Sequence, residues 1–379
     1  MVGDPVECAK KLRPDLVVVG PEQPLCDGLV DELTALGFVC YGPSKAAARL
    51  EASKPFMKEF AERHGIRTAR HRTITRIDSL AAALKGFDSP PVVKAGGLCA
   101  GKGVVVAESF EEAERAARQM LSGETFGVAG QQVVLEERLV GQEVSVHAIC
   151  DGERAFVLPA IQDHKRIGEG DTGPNTGGMG TYGPAAVVDT PLARRIETEV
   201  VERVLEGMSA DGSPFVGTLF AGLMITDDGE PMLLEINVRF GDPETQVLVD
   251  LIDGDFARLL QSAAQGQLDP SSVSLRPGFG MCVVLASAGY PASARKGDVI
   301  TGLSAAAALD GVNVYHAGTR QDGADVVTAG GRVLGVTATG QTLEQARDRA
   351  YKACGRIHFD GMQLRKDIGH RQLRELPTA

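Results

Sequence analysis

Between residues 233 and 246 the chain reads LLEINVRFGDPETQ, a stretch whose polar side chains could hold a phosphorylated ligand. Leu234, Ile236 and Val238 alternate with Glu235, Asn237 and Arg239, so on a strand the three polar residues share one face. A carboxylate and an amide oxygen two residues apart can both reach a hard cation such as Mg²⁺, which takes oxygen ligands. An arginine one step further on can clamp a carboxylate or phosphate with its planar fork. Asp242 and Glu244 follow closely. A half-exposed strand edge with scattered polar residues would show the same pattern, so the strand alone leaves both readings open.

The segments that must position these groups alternate between strand and helix patterns. Residues 16–20 (LVVVG) predict a short apolar strand ending at Pro21-Glu22, and helical periodicity follows over 25–36. That is a parallel α/β unit, whose ligands gather at the carboxyl ends of strands, where Glu22 sits. Residues 51–64 predict a helix with Lys54 and Lys58 one turn apart. Strand 92–95 carries Lys94, and a lysine inside an apolar strand needs a partner for its charge; a nucleotide phosphate would serve. The turn GGLCAGKG, from Gly96 to Gly103, nearly reads as a Walker A loop, but Gly103 stands where that motif needs Ser or Thr. It also joins strand to strand. It therefore reads as a hairpin flap whose backbone N–H groups close over phosphates, with Lys102 adding charge.

Further along, Ser109 and Glu112 make a capping box for a helix over 109–121. Residues 162–183 are long, glycine-rich and polar, which predicts a flexible lid. Residues 191–208 predict an amphipathic helix, and strands 218–225 and 232–238 a hairpin through Asp227-Asp228-Gly229. From about residue 268 short strands dominate (281–286, 312–317, 332–339), followed by a helix over 342–357. The expected fold is α/β (α+β) in three consecutive segments: an α/β domain over 1–53, a central domain over 54–266 and a small β-rich domain over 267–379.

Composition narrows the function classes. With 379 residues, 43% hydrophobic and 23% charged, the chain can bury a sizeable core. Its net charge is −11 and it has no dense basic cluster, so neither nucleic acid nor an anionic membrane is an expected partner. No apolar run reaches membrane-spanning length and the start lacks a signal-peptide core, which makes cytoplasm the expected location. Seven scattered cysteines without a CxxC pair, and seven histidines without metal-ligand spacing, predict neither a disulfide framework nor a transition-metal site.

Several motifs together resemble one family. RFGDPETQ (residues 239–246), VVGPEQPLCDGLVDEL (18–33), LEASKPFMKEFAERHGIRTA (50–69), VVKAGGLCAGKGVVVA (92–107), QDHKRIGEGDTGPNTGGMGTYGP (162–184) and FDGMQLRKDIG (359–369) are similar, in the same order, to segments of the phosphoribosylamine–glycine ligases, which are ATP-grasp enzymes. The resemblance implies an ATP-grasp fold after a shortened parallel α/β domain. It also implies a monomer acting on glycine and 5-phosphoribosylamine with ATP and Mg²⁺ or Mn²⁺. Family members open with a GxGGREHA-like turn, and this chain begins after it, so a shortened amino terminus is expected.

By the same resemblance, Lys54, Lys94, Gly101, Lys102 and Gly103 would meet the nucleotide phosphates. The run Glu136, Glu137, Arg138 and Leu139 would read the adenine, and Glu143 the ribose. Glu235 and Asn237 would hold the metal. Arg239, Asp242, Glu244, Asp171 and Asn175 would serve catalysis, while Glu22, Asp163, Lys165, Arg166, Thr176, Gly177 and Gly178 would bind substrate. Relatives usually carry Asp at position 96 and Ala at 99, where this chain has Gly96 and Cys99. Two alternatives stand beside this expectation: a non-catalytic ATP-binding remnant, and an ATP-grasp ligase for another carboxylate and amine.

Overall fold

The computed structural model describes residues 3–99 and 103–375. Packing gathers the chain into two compact units. The first comprises Met1–Leu158, Asp189–Phe240 and Ala257–Ser272; the second comprises Pro159–Val188, Gly241–Phe256 and Val273–Ala379. This grouping cuts the chain differently from three consecutive segments, and strand pairing explains why. Strand Gly180–Gly183 runs antiparallel to strand Phe279–Ala286, which draws the stretch around it into the carboxyl-terminal unit.

In the first unit, strands Val17–Val18 and Cys40–Tyr41 pair in parallel, as the α/β pattern predicts. The helical stretch between them breaks at Gly28, whose φ of 99° suits only glycine, leaving helices Glu22–Asp27 and Leu29–Ala35. Two four-stranded antiparallel sheets follow. One has the order His71–Ile74, Val133–Glu136, Val92–Ala95, Val104–Val106. Its apolar face packs Val93, Ala95, Val133 and Leu135 against Leu80, Ala113, Ala117 and Met120 from the flanking helices. The antiparallel pairing of Val92 with Val106 makes the glycine turn a hairpin connection, as expected. Helix Phe110–Leu121 opens with half of the expected box: Ser109 Oγ accepts from Glu112 N–H at 3.1 Å, while Glu112 accepts from Glu108 N–H at 2.9 Å, one residue before the cap.

The second sheet runs Pro231–Asn237, Val216–Thr226, Gly141–Asp151, Ala155–Val157. Its hairpin holds a β-bulge: Gly222 pairs with Glu235 and Leu223 with Leu233, so Leu234 is an extra residue without a register partner. Strict alternation fails there. Leu233 is fully buried and Leu234 only partly, while Ile236 and Val238 are buried as expected. Residues 190–210 form one helical run, Thr190–Ile196 and Glu202–Ala210, interrupted by a π-helical turn at Glu197–Val201.

The helix expected over 51–64 is two pieces, Arg49–Ala52 and Lys54–Arg63. Ser53 is extended, and its Oγ caps the second piece by accepting from Phe56 N–H, with Pro55 in the first turn.

The second unit centres on a five-stranded antiparallel sheet, in the order Val312–His316, Arg332–Gly340, Phe279–Ala286, Gly180–Gly183, Gln162–Asp163. Helix Leu343–Cys354 covers it through Leu343, Ala346, Ala350 and Ala353, a spacing that puts small residues on one helix face for close approach. Helix Glu244–Leu251 is tethered by Asp250, which accepts hydrogen bonds from Asn313, Tyr315 and Thr337. The lid expected over 162–183 is not an open loop here. It folds as an antiparallel hairpin, Arg166–Gly168 with Thr172–Asn175, flanked by two strands of the sheet.

Candidate active site

Within the first unit, the charged residues of the central strands form a connected set. Lys94 Nζ lies 2.8 Å from Glu136 Oε2, and Lys58 Nζ lies 3.0 Å from the same oxygen. All three side chains are buried, Lys58 completely. Burial alone would raise the Glu136 carboxyl, yet Lys94 and Lys58 hold it below its usual range. Burial pulls Lys58 down to about 8, against the opposing pull of Glu136. Lys58 also donates to Thr68 Oγ1 at 2.6 Å, and Thr68 in turn donates to Leu233 O at 2.6 Å. Lys94 donates to Leu234 O at 3.2 Å. The bulge residue thus spends its carbonyl on a buried lysine one position before Glu235.

Glu235 and Asn237 are both half-buried on the same strand. Glu235 faces Gly222 across the ladder, and a Cβ at 222 would stand 3.0 Å from Glu235 Cγ. The glycine leaves room for the acid. Among the described residues no three His, Cys, Asp or Glu side chains converge as a metal site on their own. A carboxylate beside an amide oxygen nonetheless suits an oxygen-seeking divalent ion that draws its other ligands from a phosphate tail or water. The donor set fits such an ion.

Arg239 lies between two acids, 3.3 Å from Glu22 and 3.4 Å from Glu51. Glu51 also accepts from Val238 N–H at 2.7 Å, and burial lifts its carboxyl to about 7 despite Arg239. Glu22, Glu51 and Arg239 therefore come together, and Glu51 is a member that sequence reading missed. Lys54 opens its helix beside the glycine turn: its N–H donates to Gly96 O at 2.8 Å and its Nζ to Gly97 O at 3.4 Å. Gly101 and Lys102 lie outside the described residues. At Gly103 a Cβ would press on Cys99 Cβ at 2.7 Å, so the turn needs a glycine there. Past the Val133–Glu136 strand, Glu137 and Arg138 are exposed. Glu137 N–H donates to Arg70 O at 2.9 Å, and Arg138 lies 3.4 Å from Glu108. Leu139 is partly buried and Glu143 exposed.

The second unit holds a separate set. Asp163 has its carboxyl raised well above the usual range, by burial and by the charge of Glu244, against Lys165 and Arg332. Gly178, at φ 108°, packs close to it: a Cβ would meet Pro243 Cδ at 2.6 Å and Asp163 Oδ1 at 2.8 Å. Arg332, absent from the sequence expectations, donates to Gly177 O and Asp242 O at 2.6 Å each, and to Asp242 Oδ2 at 2.9 Å. Thr176 and Arg166 serve the hairpin itself, donating to Lys165 O at 2.8 Å and Gly173 O at 2.7 Å. Asn175 is exposed near the hairpin end.

Asp171 does not hang free in a lid. It adopts a φ of 57° and is bound by the fully buried Arg365 at 2.8 Å and by Arg371 at 2.9 Å. Arg365 also pairs with Asp367 at 2.7 Å. The only sequence signal for this anchor is that Arg365 and Asp367 fall inside the FDGMQLRKDIG segment.

The family models for the N domain, the ATP-grasp (A) domain and the C domain of phosphoribosylglycinamide synthetase match residues 3–51, 52–245 and 280–371. A phosphoribosylamine–glycine ligase of Vibrio vulnificus is 46% identical over 368 residues, covering 97% of this chain and 86% of the relative. The chain belongs to the phosphoribosylamine–glycine ligase family. A chloroplastic family member from Arabidopsis thaliana is 47% identical over 377 residues, covering 99% of this chain and 71% of the relative. The crystal structure of the Thermotoga maritima phosphoribosylamine–glycine ligase superposes with a TM-score of 0.86 at 36% identity, covering 96% of this chain and 89% of that one. A biotin carboxylase from Campylobacter jejuni, solved as a complex with an ATP analogue, shares the fold with a TM-score of 0.75 at 17% identity, covering 98% of this chain and 81% of that one. The fold is therefore ATP-grasp with family-specific flanking domains, as the motifs implied. Enzymes of this fold use ATP with a divalent metal ion. No helix among the described residues is long and apolar enough to cross a membrane.

Proposed function

We propose that the chain joins glycine to 5-phosphoribosylamine, converting ATP to ADP and phosphate, as a step of purine biosynthesis. The observation that carries this reading is the order of the family's three domains along the chain, with buried Lys94 and the Glu235–Asn237 pair anchored together at the bulge inside the ATP-grasp part. Neither a ligase for another pair of substrates nor a non-catalytic remnant is favoured by relatives that match over nearly the whole chain.

Amide formation from a carboxylate in water is uphill, so the carboxylate must first be activated. A glycine carboxylate oxygen attacks the γ-phosphorus, and ADP leaves. The amine of 5-phosphoribosylamine then attacks the acyl carbon of glycyl phosphate, expels phosphate and gives up a proton. Lys94, Lys54 and Lys102 would balance the charge of the transferring group, and the glycine turn would enclose it. Glu235 and Asn237 would hold Mg²⁺ or Mn²⁺, which when bound neutralises phosphate oxygens. Glu136 through Leu139 would border the adenine and Glu143 the ribose. Glu22 would accept from ribose hydroxyls, and Arg239 would clamp the carboxylate or its phosphate.

In the second unit Asp242 and Glu244 would take the glycine ammonium. Asp163, Lys165, Arg166, Thr176, Gly177 and Gly178 would contact substrate, and Asp171 with Asn175 would set the hairpin that shields the acyl phosphate. The test is ADP release from the purified chain with ATP, a divalent ion and each substrate alone or both together. ADP release only with both substrates is expected; release with glycine and an unrelated amine, or none at all, overturns the assignment.

A further inference from the structure

Two lysines converge on one carboxylate oxygen in the first unit, and their surroundings differ. Lys58 is fully enclosed and held by Glu136 and Thr68, so it has no route to a ligand. Lys94 lies on the strand that runs into the glycine turn and keeps 10% of its side chain exposed. Glu136 Oε1 is buried without a hydrogen-bond partner among the described residues, so both ammonium groups share Oε2. The formal sum of Lys58, Lys94 and Glu136 is +1. Without Lys58 it would be zero, and Lys94 would be matched by Glu136 alone.

We propose that Lys58 is a positioning residue that neutralises Glu136 from behind, so that Lys94 remains an uncompensated cation for the phosphate tail of the nucleotide. A buried acid with a single lysine partner would make a closed ion pair, and drawing Lys94 toward a phosphate would strand a buried carboxylate, which is costly. With a second lysine in place, Glu136 keeps a partner whatever Lys94 does. Thr68 holds Lys58 in position and is itself fastened to the carbonyl of Leu233, on the strand that also carries Glu235. This role rests on the nucleotide reading given above.

The test compares ATP with adenosine, which has the base and ribose but no phosphate, by calorimetric titration of the full chain. Lys58→Met keeps length and volume and should lower ATP affinity at least about tenfold, with adenosine affinity unchanged. The double variant Lys58→Met/Glu136→Gln restores the +1 sum and should recover the ratio of ATP to adenosine affinity to within about threefold of wild type, since any change at the adenine touches both ligands alike. Equal losses for both ligands, or no recovery in the double variant, would mean a merely structural lysine and overturn the proposal. Should Lys58→Met fail to fold, Glu136→Gln alone decides: ATP preference at or above the wild-type value supports the proposal, and a tenfold fall overturns it. A wild-type chain that binds no ATP would instead overturn the nucleotide reading itself. A wild type that prefers ATP, with a preference unmoved by Lys58→Met, overturns only the role of Lys58.

Discussion

A single side chain at Glu235 offers the sharpest check on the site. Its carboxylate sits opposite Gly222 on a strand already pinned by hydrogen bonds from Thr68 and Lys94, so removing it should not disturb the ladder. Glu235→Ala should therefore lower metal-dependent kcat by about a hundredfold or more while leaving the melting temperature close to wild type. Turnover at the wild-type rate would remove Glu235 from the site. At this scale the sequence showed which residue types were present but not which were engaged. Lys58 and Lys54 occupy equivalent positions on a helical period, and only packing reveals that one is sealed inside and the other opens onto the glycine turn. Glu51 was hidden for a related reason: nothing local announces that a helix-end acid will meet an arginine far along the chain.

Hairpins and their fastenings carry the next level. Gly222→Ala puts a methyl group 3.0 Å from Glu235 Cγ, so the acid must swing aside; activity should fall about tenfold, since small misplacements of catalytic groups are expensive. Unchanged kcat in Gly222→Ala would show that the acid tolerates the shift. The hairpin Arg166–Gly168/Thr172–Asn175 depends on Arg365, and Arg365→Met would leave Asp171 to Arg371 and take the arginine from Asp367, costing about 3 kcal/mol in denaturant unfolding.

The same pair sets an acid limit. Burial would raise both carboxyls, but Arg365 above all holds Asp171 and Asp367 down at about 2, against an ordinary 3.8. Their contribution to stability is thus complete above about pH 4 and is lost as pH falls toward 2. Asp171→Asn should flatten that part of the stability curve; an unchanged acid transition would contradict the assignment. Strands and helices themselves were largely legible, because alternation and capping residues are local signals. The hairpin inside residues 162–183 was not, since its stability comes from a buried arginine supplied by the far end of the sequence. The break at Ser53 was visible in principle, as Ser followed two residues later by Pro is a helix start.

For the molecule as a whole, family and fold were readable because six motifs keep their order, whereas the division into packed units was not, because it depends on which distant strands pair. That division has a consequence for how the chain is made. It passes from one unit to the other after residues 158, 188, 240, 256 and 272, so neither unit is a contiguous stretch of peptide. During synthesis, Gly180–Gly183 has only the two-residue strand Gln162–Asp163 beside it until Phe279–Ala286 emerges to complete the sheet, and sequence-distant pairing of this kind is slow. A product terminated at Ser272 should therefore be cut rapidly by trypsin within residues 159–188, at sites that resist in the full chain. Comparable resistance in both would show that this portion finds its shape without its later companion.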